Sequence, residues 1–261
     1  FLLAALQGLP SNGDELEKLR AFHNAVQILE SVQHDVFPNV IDSNSFMSRF
    51  AGRVAYLVTQ LVPGQSINDF VSSSLGRKTG SHQKWSIEAM ATICDGLQIA
   101  HQMNVFHSDI HGKSLWIDEH GKCRLLDLGI GQLVIPKRHN EDTKGTANSE
   151  LALSDAEGVD GFDLSPTGTP HIMPPEQWRD RSDISVAVDI YNLGCVLFYL
   201  LSGRYPFAGK SVREMMQRHV SESPFDSEES KRIPAIVRPL ISKMLAKNPG
   251  DRYRSAAELA A

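Results

Sequence analysis

Two aspartates flank a short predicted hairpin, and their placement could support chemistry. Apolar segments at residues 115–117 and 123–126 surround a polar turn at 119–122, a pattern typical of a β-hairpin. Asp109 precedes this hairpin and Asp127 follows it. Because a hairpin returns the chain to its starting end, we expect the two carboxylates to face one cleft. One carboxylate would then be free to accept a proton and the other to hold a metal ion.

The residues around these aspartates resemble the signature motifs of the protein kinase family. HSDIHGKSLWID resembles the catalytic loop, His-Arg-Asp followed by four residues and Asn, and LLDLGIG resembles the Asp-Phe-Gly segment. Three downstream segments resemble the Ala-Pro-Glu motif, the buried helix after it and the closing arginine motif: GTPHIMPPEQW, VDIYNLGCVLFYLLSGRYPF and KNPGDRYRSAAEL. The five motifs follow the family's order, and the chain is similar to bacterial Ser/Thr kinases.

The resemblance implies an α+β fold with two lobes. Residues 1–62 would form a truncated, β-rich small lobe, and residues 63–261 a mainly helical large lobe. Residues 1–10 read as a short buried strand. Residues 14–30 carry apolar side chains about every 3.6 positions, which predicts an amphipathic helix.

Further elements are expected between this helix and the catalytic loop. Residues 39–60 read as two strands around a turn at 44–52, and a short helix is expected at 66–74. A longer helix is predicted over 85–102. Its buried face is expected to consist of Ile87, Met90, Cys94, Leu97 and His101.

The resemblance also assigns nucleotide-binding positions, two of which have lost their charge. Gln7 stands where the family has the strand lysine that grips phosphate, and Ala25 stands where it has the glutamate that pairs with that lysine. Gln60 and Val62 belong to a segment that resembles the hinge, whose backbone binds adenine in the family. Trp116 stands where the family has a medium-sized apolar residue at the floor of the adenine pocket, so an indole there would either stack under adenine or fill its space.

The catalytic loop keeps some of the family's residue types and replaces others. Asp109 matches the base that accepts the substrate hydroxyl proton, and Asp127 matches the aspartate that holds magnesium. His111 replaces a lysine that touches the γ-phosphate. Ser114 replaces the asparagine that ligates the second Mg²⁺, which a serine hydroxyl can also do. Ser108 replaces the arginine that grips a phosphorylated activation loop, so a phosphate on that loop would lack its usual partner.

Other motif positions match the family and imply structural or substrate-binding roles. Thr169 in Gly-Thr-Pro matches the substrate-facing threonine of Ser/Thr kinases. The residues that would hold the large lobe together are His107, Gly129, Glu176, Asp189 and Arg252. Between the motifs, a polar insert at 136–166 is rich in Ser, Thr, Gly and acidic residues, a composition that favours a mobile loop.

Three other kinds of site receive little support. His107 and His111 have the i, i+4 spacing of a zinc site on a helix, but Gly112 and the strand after it argue against a helix. Gly112-Lys113-Ser114 imitates the end of a phosphate-binding P-loop, whose first glycine would fall at His107, so the match fails. The sequence has no Gly-x-Ser-x-Gly, which removes the usual sign of a serine hydrolase.

Composition excludes several classes of protein. The chain has 261 residues, 41% of them hydrophobic, and a net charge of −5 without a long basic run, which argues against a nucleic-acid partner. Three widely spaced cysteines favour a reducing, cytoplasmic compartment over a disulfide framework. The longest apolar run is too short to span a bilayer. Because the chain starts without methionine, we expect it to be part of a longer protein.

The retained and replaced residues together predict a pseudokinase that acts in signalling by binding and conformation. Its partners would be a protein substrate or other domains of its own chain. Two alternatives stay open: an active Ser/Thr kinase that uses ATP and Mg²⁺, and a scaffold that binds no nucleotide and needs no cofactor. The first is favoured by Asp109, Asp127 and Thr169, and the second differs only in its failure to bind ATP.

Overall fold

The computed structural model describes most of the chain. It covers residues 2–6, 15–48, 52–74, 80–129, 169–180 and 183–261. Gln7 and the polar insert at 136–166 lie outside these ranges. Over the described residues, a small β-rich region precedes a mostly helical remainder, which confirms the predicted α+β class.

The β-rich region is a three-stranded antiparallel sheet beside one helix. Strands β1 (Leu2–Leu6), β2 (Val40–Ser48) and β3 (Gly52–Thr59) have the order β1-β3-β2. The predicted turn at 44–52 is wrong in its first half, because β2 continues to Ser48 with Asn44 opposite Tyr56. As β2 is an edge strand, its polar side chains can face solvent while its backbone stays paired to β3.

Helix α1 (Glu15–Ser31) follows the predicted period closely. Its residues Phe22, Val26 and Leu29 are buried in the core. After the helix, the N–H of Leu125 donates to the carbonyl oxygen of Val36 at 2.7 Å, which joins the β-rich region to the predicted hairpin.

A second sheet contains the hairpin between the two aspartates. Its strands β4 (Gly64–Ser66), β5 (Leu115–Asp118) and β6 (Cys123–Leu125) are antiparallel, with the hairpin pair β5-β6 in the predicted place. In the turn, the Asp118 carboxylate accepts N–H groups from His120 and Lys122, and Gly121 has φ 78°. The predicted hairpin is therefore confirmed.

Helices form the remainder of the described chain. They are α2 (Ile67–Ser74), α3 (Gly80–Gln102), α4 (Pro175–Arg179), α5 (Val186–Ser202), α6 (Val212–Ser221), α7 (Arg238–Met244) and α8 (Ala256–Ala260), with short 3₁₀ turns at Glu228–Arg232, Ala235–Val237 and Pro249–Asp251. Helix α5 is apolar nearly all round and lies in the core, as such helices do. A Cβ on Gly194 would lie 2.9 Å from Met244 Cβ, so this glycine allows α5 and α7 to approach closely.

Helix α3 differs from its prediction in two respects. It begins at Gly80, earlier than the predicted residue 85. Ile87 is 37% exposed rather than buried, and Ser86 is fully buried beside it, so the buried stripe passes through position 86. The other four predicted positions are buried: Met90, Cys94, Leu97 and His101. None of the helices in the described ranges is long and apolar enough to cross a membrane.

Candidate active site

Helix α5 positions the catalytic loop through one buried aspartate. Asp189, in the first turn of α5, has no exposed surface. Its carboxylate accepts the N–H of Ser108 at 2.6 Å and the N–H of His107 at 3.0 Å, and it lies 2.8 Å from His101 Nε2. Three donors from two segments therefore hold the start of the loop against the helix.

A second polar side chain of α5 extends this support, and sequence reasoning missed it. Asn192 lies one helical turn after Asp189 and is fully buried. Its amide oxygen accepts the N–H of Ile110 at 3.2 Å, and its amide nitrogen donates to the carbonyl oxygen of Ile172 at 2.8 Å. The available signal was a second polar residue, spaced i, i+3 from an aspartate, in an otherwise apolar helix.

The backbone is strained at both ends of the hairpin region. Ser108 has φ 65° and Asp127 has φ 63°, and neither is glycine. Such left-handed conformations cost about 1–3 kcal/mol each and cluster at functional sites. His107 Nε2 lies 2.7 Å from the carbonyl oxygen of Leu126, which links the loop to the residue before Asp127. The two predicted aspartates thus lie at the ends of segments that contact each other directly.

Asp109 keeps most of its hydrogen-bonding capacity free. Its side chain is 37% exposed. One carboxylate oxygen accepts the N–H of Thr169 at 3.3 Å, and the other lies 3.8 Å from His111 Nε2. A partly exposed carboxylate with open acceptor positions can accept a proton from a substrate hydroxyl group.

His111 has a defined tautomer at the site. Its Nδ1 accepts N–H groups from Lys113 and Ser114 at 3.2 and 2.9 Å, so in the neutral ring the proton lies on Nε2 and faces Asp109. Burial lowers the pKa of His111, against the opposing effect of the Asp109 and Asp127 carboxylates. The imidazole is therefore neutral at pH 7, whereas a lysine would carry a fixed positive charge.

The Ser114 hydroxyl is bonded within the loop. Ser114 is 2% exposed. Its hydroxyl donates to the carbonyl oxygen of His111 at 3.0 Å and accepts the N–H of His111 at 2.9 Å. To ligate a metal ion it would have to give up part of this bonding. In the part of the chain that the structure describes, no group of three or more His, Cys, Asp or Glu side chains could hold a metal ion.

The predicted nucleotide-binding residues lie on several elements. Gln60 and Val62 are in the connection between β3 and β4, where the N–H of Gln60 donates to the carbonyl oxygen of Asn39 at 2.8 Å. Trp116 is half-buried in the central strand β5, and its indole nitrogen is buried without a hydrogen-bond partner. Ala25 is half-buried on α1 and brings no charge to the site.

An ion pair joins the segment after Thr169 to the end of the chain. Arg252 is 2% exposed and contacts both oxygens of Glu176, at 2.6 and 2.8 Å. It also donates to the carbonyl oxygens of Ala187 and Ala246. Every charged group of this pair is therefore matched by fixed hydrogen bonds. Gly129, at the end of the Asp127 segment, has φ 73° and lies next to Leu29 of α1.

A stack of three rings beside the loop was also missed by sequence reasoning. Tyr205 stacks on Tyr199 and on His171, with ring centroids 4.6 and 5.3 Å away. Its hydroxyl accepts the N–H of Gly112 at 3.1 Å. No spacing in the sequence connects these residues, which come from different segments of the fold.

Comparison with known proteins agrees with this geometry. Serine/threonine-protein kinase PknB of Mycobacterium tuberculosis is 29% identical over 241 residues, which are 92% of this chain and 34% of that protein. Serine/threonine-protein kinase PrkC of Bacillus subtilis is 28% identical over 246 residues, which are 94% of this chain and 33% of that protein. The chain spans about a third of the length of these relatives. Residues 4–260 match the family model of the protein kinase domain. This chain therefore belongs to the protein kinase domain family.

Proposed function

We propose that this chain is a pseudokinase domain, related to bacterial Ser/Thr kinases, that acts by binding and conformation. The observation that carries the proposal is the mutual hydrogen bonding of His111 and Ser114. The histidine offers a neutral ring where the family has a lysine, and the serine hydroxyl bonds to the loop backbone where the family has a metal-binding amide.

Phosphoryl transfer is sensitive to such changes. The reaction needs little covalent chemistry from the protein and depends on positioning and on stabilisation of negative charge. Removing one group that stabilises transition-state charge commonly lowers kcat by about 10²–10³. Gln7 and Ala25 remove the charged pair that positions the phosphates in the family, so the losses accumulate.

A second candidate function is weak Ser/Thr kinase activity with ATP and Mg²⁺. The observation in its favour is the position of Asp109, whose carboxylate accepts the N–H of Thr169 and has room for a substrate hydroxyl group. Both relatives named above are serine/threonine-protein kinases by name. In this reading Asp109 is the base, Asp127 holds Mg²⁺, and the substrate is a protein.

ATP turnover by the purified full-length protein separates these two functions. We expect phosphate transfer to itself and to generic protein substrates at least about a thousandfold below the 1–100 s⁻¹ usual for kinases. Asp109→Asn serves as the control, because any remaining transfer that depends on the base should disappear with it. Turnover in the usual range that Asp109→Asn abolishes would establish an active kinase instead.

Melting curves with and without Mg²⁺-ATP test the nucleotide-free alternative. A ligand at 100 times its Kd stabilises a fold by about 2.7 kcal/mol, and we expect no such rise in Tm at millimolar ATP. If the Trp116 indole fills the adenine pocket, Trp116→Leu should restore binding. If the indole stacks under adenine, the native protein will bind already and Trp116→Leu will weaken it.

A further inference from the structure

One half-buried lysine outside the catalytic loop lies where three segments meet. Lys247 follows helix α7, and its Nζ donates to the carbonyl oxygens of His219 and Arg218 at 2.7 and 3.5 Å. Both carbonyl groups belong to the last turn of helix α6, where a helix leaves carbonyl groups without an intrahelical partner. The same Nζ lies 3.9 Å from the centroid of the fully buried Phe207 ring. The amine therefore ties the end of α6 to the segment after α7.

The surroundings of Lys247 disfavour its protonated form. The Arg252 guanidinium group, itself 2% exposed, donates to the carbonyl oxygen of Lys247 at 3.4 Å. Burial, and to a smaller extent this nearby cation, lower the pKa of Lys247 from 10.5 to about 8, against the opposing effect of the Glu222 and Asp226 carboxylates. Lysines become nucleophiles when they are desolvated or lie next to another cation, and both conditions hold here.

Lys243 offers a comparison in the same part of the chain, four residues earlier. Its Nζ lies 4.0 Å from the centroid of the Tyr253 ring, so both lysines lie over an aromatic ring. However, Lys243 Nζ contacts Glu258 Oε1 at 3.0 Å, whereas Lys247 Nζ donates to neutral carbonyl groups. A carboxylate stabilises the protonated amine, which is not nucleophilic. Of the two, Lys247 is therefore the better nucleophile.

We propose that Lys247 is a modification site, at which a small activated acyl donor such as an acyl phosphate acylates the amine. In this reaction the unprotonated Nζ attacks the carbonyl carbon of the donor, a C–N bond forms and the C–O bond to phosphate breaks. The phosphate leaves with the bonding electrons, and the amine proton passes to water. The acyl group must be small, because the Phe207 ring and the end of α6 lie against the amine. The site needs no phosphoryl transfer by this chain and is independent of the proposed function.

Acylation releases the end of α6. The amide product is neutral and has one N–H, so it loses the cation–π contact with Phe207 and can donate to only one carbonyl oxygen. The favourable effect of a cation at the C-terminus of a helix is lost as well. His219 lies in this last turn, with its ring centroid 6.3 Å from that of Trp178 in α4. The change therefore reaches the helix that carries Glu176.

Acetyl phosphate is the probe, used on the full-length protein. Mass spectrometry of proteolytic peptides measures the initial acetylation rates of Lys247 and Lys243 in the same sample. At pH 7 a lysine with a pKa of about 8 is about 10% unprotonated, against about 0.04% for a lysine at the usual value. Partial burial and lower basicity offset much of this advantage, so we expect Lys247 to react at least about threefold faster. A smaller ratio would overturn the proposal.

The pH dependence of the reaction provides a second readout. The acetylation rate of Lys247 should rise with pH up to about 8 and change little above it, because the amine is then mostly unprotonated. A rate that continues to rise tenfold per pH unit up to pH 10 would show that Lys247 is an ordinary surface amine and would contradict the proposal.

Two variants test the release of α6. Lys247→Gln imitates the neutral acylated side chain, and Lys247→Arg keeps the positive charge. By hydrogen exchange, we expect the backbone amides of residues 216–222 to exchange at least about threefold faster in Lys247→Gln and to stay near the native rate in Lys247→Arg. Lys243→Gln is the matched control and should leave these rates unchanged. If Lys247→Gln does not fold, exchange in the acetylated native protein decides. Unchanged exchange at 216–222 would refute the release of α6.

Discussion

Two aspartates at the catalytic loop show how differently one side chain can be used. Asp189 has no exposed surface and binds two backbone N–H groups and one histidine nitrogen. Asp109 is 37% exposed and binds one N–H at 3.3 Å. A carboxylate whose acceptor positions are filled fixes the backbone, whereas one with open positions can take a proton. The number of hydrogen-bond donors that the fold supplies, rather than the residue type, therefore distinguishes a supporting aspartate such as Asp189 from an accessible one such as Asp109. The largely buried, fully bonded residues Asp189, Glu176 and Arg252 are called the frame below.

The same contrast applies to the two regions as wholes. In the frame, the predicted structural residues Asp189, Glu176 and Arg252 make bonds that link segments distant in the chain. In the loop, the resemblance predicts that His111 and Ser114 replace a lysine and an asparagine, and the two residues bond mainly to each other. Substitutions of His111 and Ser114 are therefore expected to leave the bonds of the frame intact.

The largest effect is expected from breaking the frame. Arg252→Ala leaves Glu176 as a partly buried charge without its partner, and breaking a buried pair in this way costs about 3–5 kcal/mol. Urea unfolding measures the loss. Arg254→Ala, an exposed position two residues away, should change stability by less than about 0.5 kcal/mol. An equally small effect of Arg252→Ala would show that the ion pair does not support the frame.

Acid should weaken the frame through His219. This residue is fully buried with its Nδ1 2.8 Å from the Tyr191 hydroxyl. Burial and the nearby Lys247 cation lower its pKa from 6.5 to about 3. Between these values the unfolded chain binds a proton that the folded chain does not. In this pH range the unfolding free energy of the protein should therefore fall by about 1.4 kcal/mol for each unit of decreasing pH.

The His219 contribution can be isolated by substitution. It is fully present above pH 6.5 and lost as the pH falls toward 3. His219→Gln should flatten the dependence of unfolding free energy on pH between 6.5 and 4 relative to the native protein. His120→Gln, at an exposed turn, should leave that slope unchanged. Equal slopes for the native protein and His219→Gln would refute the assignment.

Restoring the family's residues in the loop should raise activity. The double variant His111→Lys with Ser114→Asn supplies a fixed cation and a metal-binding amide, and we expect ATP turnover to rise at least about tenfold. His120→Lys adds a positive charge on the hairpin turn and serves as the control. No gain in the double variant, with the fold preserved, would contradict the view that His111 and Ser114 limit the reaction.

The smallest effect is expected in the turn of the hairpin. Gly121 has φ 78°, and no atom beyond its chain neighbours lies within 4 Å of the position that a Cβ would take, so Gly121→Ala tests backbone strain without a steric clash. We expect a loss of about 1–2 kcal/mol in unfolding free energy. Lys122→Ala, at the next position, should cost less. A larger loss for Gly121→Ala than for Arg252→Ala would contradict the expectation that the buried ion pair contributes more to stability than the hairpin turn does.

Local sequence determined the elements with strong patterns. The helix α1 and the hairpin between Asp109 and Asp127 follow from apolar period and turn residues, both of which depend on neighbours in the chain. The family motifs also indicated the fold class. The length of β2 and the exposure of Ile87 could not be predicted from local sequence. The length of an edge strand depends on its partner strand, and the buried face of a helix depends on the elements that pack against it.

Tertiary structure alone decided how each polar side chain is used. Nothing in the spacing of Asp109 and Asp189 shows that the second receives three donors and the first only one. The stack of Tyr205 on His171 and the hydrogen bonds of Asn192 to Ile110 and Ile172 likewise arise between segments. Hydrogen bonds and burial are set by the distance between groups in space, and for these residues the chain order carries no information about that distance.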